Sequence, residues 1–173
     1  RNGEVALLVE GARRIGKCYI VEEFAKNEYE SYILIDFNKA PQMVRDWFDL
    51  YLEDLDTLFL YMSQHYKVRL HERKSLIIFD EIQLCPRARA AIKFLVADRR
   101  YDYIETGSLV SIKKNTQGIV LPSEERPIQM YPMDFEEFLW ATGNDMLMDF
   151  IQKMYAERKP MGQVFHRQAM DAF

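Results

Sequence analysis

Two glycines and a lysine near the N-terminus have the spacing of a phosphate-binding loop. Gly11 and Gly16 are separated by four residues, and Lys17 follows directly after Gly16. Glycines permit the backbone turns that point successive N–H groups at one place, and a helix beginning there adds its positive end. A lysine at this position would reach the β- and γ-phosphates of a nucleotide. Since the apolar run Val5 to Val9 precedes the loop and a helical pattern follows it, the sequence predicts a nucleoside triphosphate site.

The last position of this motif carries an unusual side chain. Loops of this kind place a serine or threonine hydroxyl on Mg²⁺ there, whereas this chain has Cys18. Mg²⁺ prefers oxygen to sulfur, so Cys18 should hold the metal weakly and slow hydrolysis. A helix N-terminus and Lys17 should also favour the Cys18 thiolate, which predicts the more reactive of the two cysteines. The residues expected to contact the nucleotide are Gly11, Ala12, Arg13, Arg14, Ile15, Gly16, Lys17, Cys18 and Tyr19.

Two adjacent carboxylates form a second candidate element. Asp80 and Glu81 follow the apolar residues Leu76 to Phe79. This pattern predicts a buried parallel strand with acids at its C-terminal end, where open α/β sheets bind ligands. In nucleotide hydrolases the first acid, here Asp80, holds Mg²⁺ through water, and the second, here Glu81, orients or deprotonates the attacking water. The alternative is that these two acids only end a strand and begin a loop.

The rest of the chain alternates between strand and helix patterns. Further strands are predicted at 32–36, 101–106 and 128–131, and the stripe from Val44 to Met62 indicates one bent helix or two. The polar stretch 111–117 should be a loop near the nucleotide. Repeated β-then-α order predicts a three-layer α/β/α sandwich around a mainly parallel five-stranded sheet, followed by C-terminal helices.

The sequence indicates where two helices begin and, for the first, which face is apolar. Pro86 suits a first helical position, and the apolar face that follows it leaves Arg87, Arg89 and Lys93 outside. Asp134 and Glu137 have the spacing of a capping box, so a helix should begin there.

Composition restricts the functional classes. The 173 residues suffice for one sizeable core, their net charge of −4 gives no sign of nucleic-acid binding, and no apolar run has membrane-spanning length. Two cysteines and three scattered histidines indicate neither a disulfide nor a zinc site, so a reducing, cytoplasmic compartment is expected. The chain starts without methionine and ends in a helical pattern without a stop signal. We therefore expect a nucleotide-binding core at 1–132 and a helical extension at 133–173, both part of a longer protein.

Four sequence blocks together resemble a prokaryotic family of AAA-like ATPases. The blocks are the loop Gly11–Lys17, Phe79–Gln83, Glu105–Ser108 and Tyr131–Leu139. The resemblance implies the additional-strand class of P-loop fold, in which the strand ending at Thr106 separates the Asp80 strand from the loop strand. It also implies that Thr106 or Ser108 senses the γ-phosphate, the alternative being that they cap a turn. Members usually carry a C-terminal domain of unknown function. The resemblance therefore implies that the extension 133–173 begins a lid or further domain, which would be a partner of this core.

The chain departs from the family pattern at Cys18 and at Glu124–Pro127, where many members have a Gly-Arg pair. Arg126 could still act as an arginine finger, in cis or from a neighbouring subunit of a homo-oligomer, or it could be a solvated side chain. Adenine is favoured over guanine because Ala40–Pro41 interrupts a guanine-specific box after Asn38–Lys39. ATP and Mg²⁺ are thus the expected cofactors.

Three functional classes follow from these residues. The first is an ATPase that couples hydrolysis to movement of a C-terminal region, supported by Asp80, Glu81 and Thr106. The second is a nucleotide-binding switch with weak hydrolysis, supported by Cys18. The third, a small-molecule kinase, would need an acceptor pocket and a basic lid, and the sequence carries no mark of either.

Overall fold

A parallel sheet organises the N-terminal part of the chain. The computed structural model describes residues 4–108 and 123–172. Five strands in these ranges pair in the order β2-β3-β4-β1-β5, and every pair is parallel. The strands are β1 Ala6–Gly11, β2 Ser31–Asp36, β3 Ser75–Asp80, β4 Asp102–Ser108 and β5 Glu125–Met130. The predicted α/β class is confirmed, and β4 separates β3 from β1 as the family resemblance implied.

Helices connect the strands and continue after the sheet. The region from Val44 to Met62 belongs to two helices rather than one bent helix. Asp54 caps the second helix by accepting a 3.1 Å hydrogen bond from the Thr57 N–H. The helices are α1 Lys17–Glu28, α2 Gln42–Leu50, α3 Leu55–Tyr66, a 3₁₀ turn at Ile82–Leu84, α4 Pro86–Asp98, α5 Phe135–Ala141, α6 Asp145–Ala156 and α7 Gln163–Ala172. The loop predicted at 111–117 lies outside the described residues.

The sheet has an apolar core on each face, because alternate residues of a strand point to opposite sides. Ile77 and Phe79 pack in the cluster that includes α2, α3 and α4, whereas Leu76 and Ile78 pack with residues of α1. Strand β3 is therefore buried on both faces, as its continuous apolar sequence predicted.

Two local predictions were wrong. Strand β4 continues to Ser108, two residues beyond the predicted strand end at Thr106. Arg89 lies inside the molecule, where its side chain is 3% exposed. It donates through Nε and Nη2 to the two carboxylate oxygens of Glu125 on β5, at 2.9 and 2.8 Å. The helical pattern placed Arg89 outside because it could not show a partner 36 residues away on another strand.

Glu105 adds a second buried carboxyl near this ion pair. Its side chain is fully buried, and neither oxygen has a hydrogen-bond partner among the described residues. Burial first, and then the carboxylate of Glu125, raise the pKa of Glu105 well above its usual value of 4.5, while Arg89 opposes the shift. The core of the sheet therefore holds a carboxyl that favours its protonated form.

The chain divides into two compact units, Arg1–Tyr131 and Pro132–Phe173. In the second unit, the predicted capping box at α5 is present. The Glu137 N–H donates to Asp134 Oδ1 at 2.9 Å, and the Asp134 N–H donates to Glu137 Oε2 at 3.0 Å. The rings of Phe150 in α6 and Phe165 in α7 lie 4.4 Å apart. Among the residues with described positions, no helix combines the length and apolar character needed to cross a bilayer.

Replacing Glu105 with glutamine should flatten the pH dependence of stability. A carboxyl with a raised pKa in the folded state contributes stability that is complete below its unfolded pKa and is lost as the pH rises through its folded pKa. Each pH unit in this window corresponds to about 1.4 kcal/mol. Urea unfolding between about pH 5 and pH 8 should show this loss in the wild type and in the exposed control Glu53→Gln. Glu105→Gln should lack it, and parallel profiles for all three proteins would contradict the account.

Candidate functional site

The segment between β1 and α1 has the backbone form of an anion-binding loop. Strand β1 ends at Gly11, and α1 begins at Lys17. Arg14 and Gly16 have positive φ angles of 63° and 92°, a region that L-residues seldom occupy. Within the described ranges, no side chain caps the N-terminus of α1, which leaves its first N–H groups available to a ligand.

Gly11 is required where the loop approaches strand β5. A Cβ at this position would lie 2.3 Å from the carbonyl oxygen of Met130 and 2.8 Å from Ile15 Cδ1. Gly11 and Met130 are also partners in the β1–β5 register. The glycine therefore lets the end of β5 lie directly against the loop.

The ammonium of Lys17 lies inside the loop. The residue is 7% exposed, and Nζ donates to the Ala12 carbonyl at 2.6 Å and to the Gly11 carbonyl at 3.4 Å. These acceptors are neutral, so they compensate the buried positive charge less well than an anion would. The loop is thus arranged to favour a bound phosphate group.

Three elements meet at Asp80. The carboxylate lies at the end of β3 and accepts a hydrogen bond from the Thr106 hydroxyl of β4. It also lies close enough to the Cys18 thiol at the start of α1 to raise the pKa of that thiol. Thr106 is fully buried, and Ser108, the register partner of Gly11, is 4% exposed. The structure therefore brings Cys18, Asp80 and Thr106 together beside the loop.

The predicted Cys18 thiolate is wrong. The pKa of Cys18 is raised to about 12, chiefly by burial and then by the carboxylate of Asp80, with smaller contributions from Glu22 and Asp36. The prediction took into account only the N-terminus of α1 and Lys17. In the folded chain, burial and nearby carboxylates act on the sulfur in the opposite direction. Burial and the Asp80 carboxylate therefore favour the neutral Cys18 thiol over the thiolate.

Glu81 lies at the entrance to the following 3₁₀ turn. Its backbone has φ 54° and ψ 46°, the left-handed conformation, and its carboxylate accepts a hydrogen bond from Gln83 Nε2. Both residues line a cavity of about 360 Å³. The other lining residues are Arg13, Asp36, Asn38, Asp80 and Leu84.

Four residues of this cavity were not predicted as site residues from the sequence, among them Asp36 and Gln83. Asp36 ends β2 and is the register partner of Asp80, and its Oδ2 lies 2.9 Å from Lys39 Nζ. A signal for Asp36 was present, because both strands end an apolar run with aspartate. Gln83 carried no local signal, since its role depends on a turn that the pattern does not reveal.

Two predicted site residues lie apart from this group. Tyr19 is 71% exposed on α1. Arg126 is exposed and pairs with Leu7, four residues before Gly11, which corresponds to about 13 Å along the strand. The structure therefore does not bring Arg126 to the loop of its own chain.

The residues fit a nucleotide more fully than they fit a metal ion. The uncapped N–H groups and the Lys17 ammonium suit a triphosphate. Asp80 offers the oxygen that Mg²⁺ prefers, but Cys18 offers sulfur. In the described ranges, no group of three histidine, cysteine, aspartate or glutamate side chains is arranged to hold a metal. Phosphate oxygens and water would therefore supply most ligands of a cation beside Asp80.

Comparison with known proteins adds two relatives and one structure. An uncharacterized protein of Haemophilus influenzae is 24% identical over 164 residues, covering 90% of this chain and 38% of the relative. An uncharacterized protein of Methanocaldococcus jannaschii is 26% identical over 141 residues, covering 80% and 28%. The chain thus spans less than two fifths of either relative. The structure of C. elegans PCH-2 matches 87% of this chain and 39% of its own, with 14% identity and a TM-score of 0.39.

Residues 4–139 match the model of a family described as an AAA domain. This range includes the glycine loop, the Asp80–Glu81 pair and the block that begins α5, so the resemblance noted in the sequence is confirmed. The match supports a nucleotide-binding, ATPase-like function. The chain belongs to this AAA domain family.

Proposed function

We propose that this chain is an ATP-binding protein and Mg²⁺-dependent ATPase, whose hydrolysis of ATP to ADP and phosphate changes the conformation of a C-terminal region. The observation that carries the proposal is the convergence of the Lys17 loop, Asp80 and Thr106 at the C-terminal ends of adjacent parallel strands. In open α/β sheets, ligands bind at this edge. We further propose that the protein is cytoplasmic and that the bound nucleotide carries adenine.

The glycine loop and Lys17 bind the triphosphate. The loop N–H groups donate to phosphate oxygens, and the Lys17 ammonium exchanges its two neutral carbonyl acceptors for anionic ones. Mg²⁺ supplies charge neutralisation at the phosphates when bound. Asp80 holds the ion's water shell from the β3 end, and Thr106 fixes one oxygen of that carboxylate. Thr106 would thereby respond to the γ-phosphate.

Glu81 handles the attacking water. It accepts the proton from the water as the water oxygen bonds to the γ-phosphorus and the bond to the bridging oxygen breaks, with ADP leaving. Its position on the wall shared with Asp80 supports this role. Arg126 would act on a neighbouring subunit in a homo-oligomer, because it lies far from the loop of its own chain.

In this proposal, the nucleotide-dependent conformational change passes along the chain from the loop to the second unit. The Met130 carbonyl lies against Gly11, and the second unit begins two residues later at Pro132. A nucleotide-dependent shift of the loop would therefore reach 133–173, the helical extension, through the end of β5. The greater length of the relatives supports a further region outside these 173 residues, and we propose that it follows them and is the partner of this core.

The alternative is a nucleotide-binding switch with weak or no hydrolysis. One observation favours it: a thiol, Cys18, rather than a hydroxyl stands at the metal position, near enough to Asp80 for that carboxylate to raise its pKa. Sulfur is a poor Mg²⁺ ligand, whereas phosphate binding by Lys17 would suffer less.

Lys17→Ala should weaken ATP affinity by about tenfold to a hundredfold, the range expected for a lost charge-assisted hydrogen bond. Calorimetry provides the measurement. Lys26→Ala is the matched control, since Lys26 is an exposed lysine of the same helix paired with Glu22 and Glu23. Unchanged affinity in Lys17→Ala would overturn the assignment of the loop.

Glu81→Gln should bind ATP normally but lower turnover by about 10²–10⁴-fold, because the amide cannot accept the proton of the attacking water. Phosphate release measures turnover, and calorimetry measures binding. Asp80→Asn should instead weaken the Mg²⁺ dependence of binding. If Glu81→Gln turned over like the wild type, Glu81 would only be a residue at a strand end.

Cys18→Ser should raise Mg²⁺-dependent turnover by about tenfold, because it restores an oxygen ligand. In the wild type, the sulfur of Cys18 should give faster turnover with the softer Mn²⁺ than with Mg²⁺. This difference in turnover should be smaller in Cys18→Ser, which lacks the sulfur. Turnover assays with each metal separate these effects. Equal turnover in Cys18→Ser and the wild type with Mg²⁺ would remove the support for the weak-hydrolysis alternative.

A further inference from the structure

The carboxylate of Glu81 is held by one neighbouring side chain. Gln83 lies in the 3₁₀ turn that follows Glu81 and is 6% exposed, and its Nε2 donates to Glu81 Oε2. A hydrogen bond to an ionised acceptor is stronger than one between neutral groups. It therefore fixes the orientation of the carboxylate and leaves Oε1 as the oxygen available to another partner.

The backbone alone does not hold Glu81 in one orientation. Its left-handed φ of 54° is uncommon for a residue with a side chain and persists only where the surroundings maintain it. The Leu84 N–H donates to the Glu81 carbonyl at 2.9 Å, which closes the turn. The carboxylate itself remains on rotatable bonds, so its direction depends on the contact with Gln83.

The donor, in contrast, is carried on a fixed part of the chain. Ile82, beside Gln83, is fully buried in the apolar core. Arg45 of α2 donates through Nη1 to the Leu84 carbonyl at 2.7 Å and through Nη2 to the Phe37 carbonyl. The turn is thus attached to the core on one side and to the end of β2 on the other. Gln83 therefore presents its amide from a rigid position.

We infer that Gln83 is a positioning residue, whose amide holds Glu81 Oε2 so that Oε1 faces the water attacking the γ-phosphate. This inference rests on the proposed hydrolysis and adds a residue to it. Gln83 touches neither nucleotide nor water in this account and acts only through Glu81. A structural role would instead require Gln83 for folding alone.

Gln83→Met tests the inference, because methionine matches glutamine in length but cannot donate the hydrogen bond. In the full-length protein, turnover at saturating ATP should fall by about tenfold to a hundredfold, the cost of a misplaced catalytic group. The KM for ATP and the calorimetric affinity should stay within twofold of the wild type. Gln42→Met is the matched control, since Gln42 donates to Asp46 on the surface of α2 and should leave turnover unchanged.

A double-mutant cycle separates positioning from a general loss of structure. In a Glu81→Gln background, Gln83→Met should change the residual turnover less than twofold, because the carboxylate it positions is gone. The nucleotide-free protein gives a second readout, in which Glu81→Ala should shift the side-chain amide resonances of Gln83 in ¹⁵N-correlated spectra.

Four results would overturn the inference. In the first, Gln83→Met turns over like the wild type while Glu81→Gln is inactive. Gln83 would then have no positioning role, and the proposed ATPase would stand. An equal loss from Gln83→Met in both backgrounds, or unshifted amide resonances, would show that Gln83 does not act through Glu81. Full turnover of Glu81→Gln would instead overturn the proposed use of Glu81 and with it this role.

Discussion

The placement of the Lys17 ammonium is the constraint on which the site depends. It is a buried charge whose acceptors are the neutral carbonyls of Gly11 and Ala12. Such a charge is costly unless an anion compensates it. The glycines, the uncapped start of α1 and the close approach of Met130 all shape the same cradle. The loop is therefore arranged to gain from a bound anion.

The parallel sheet places the other site residues beside the phosphate-binding loop. Because the strands run in one direction, β3 and β4 present Asp80 and Thr106 at the same edge at which β1 enters the loop. Deeper in the sheet, Arg89 joins α4 to β5 through Glu125. This ion pair fixes the outer strand, whose C-terminal end touches Gly11 and leads into the second unit. The edge strand is therefore tied both to the core and to the loop.

Much of this architecture could be predicted from local sequence, and the exceptions have a common cause. The loop, the β3 strand and the capping box at Asp134 depend on neighbours in sequence, so patterns revealed them. Arg89 and the protonation state of Cys18 depend on carboxylates from other strands. Gln83 depends on a left-handed residue before it. Spacing along the chain shows none of these contacts. The matching aspartates at the ends of β2 and β3 carried a signal that Asp36 lies beside Asp80, but Asp36 was not predicted as a site residue.

The most direct test of the account is a high-resolution structure of the protein with Mg²⁺ and a non-hydrolysable ATP analogue. The account predicts that phosphate oxygens lie against the N–H groups at the start of α1. It also predicts that Lys17 Nζ leaves the Ala12 carbonyl, now 2.6 Å away, for the β- and γ-phosphates. An analogue bound elsewhere, with the ammonium still on Ala12, would contradict the central claim that this loop is the nucleotide site.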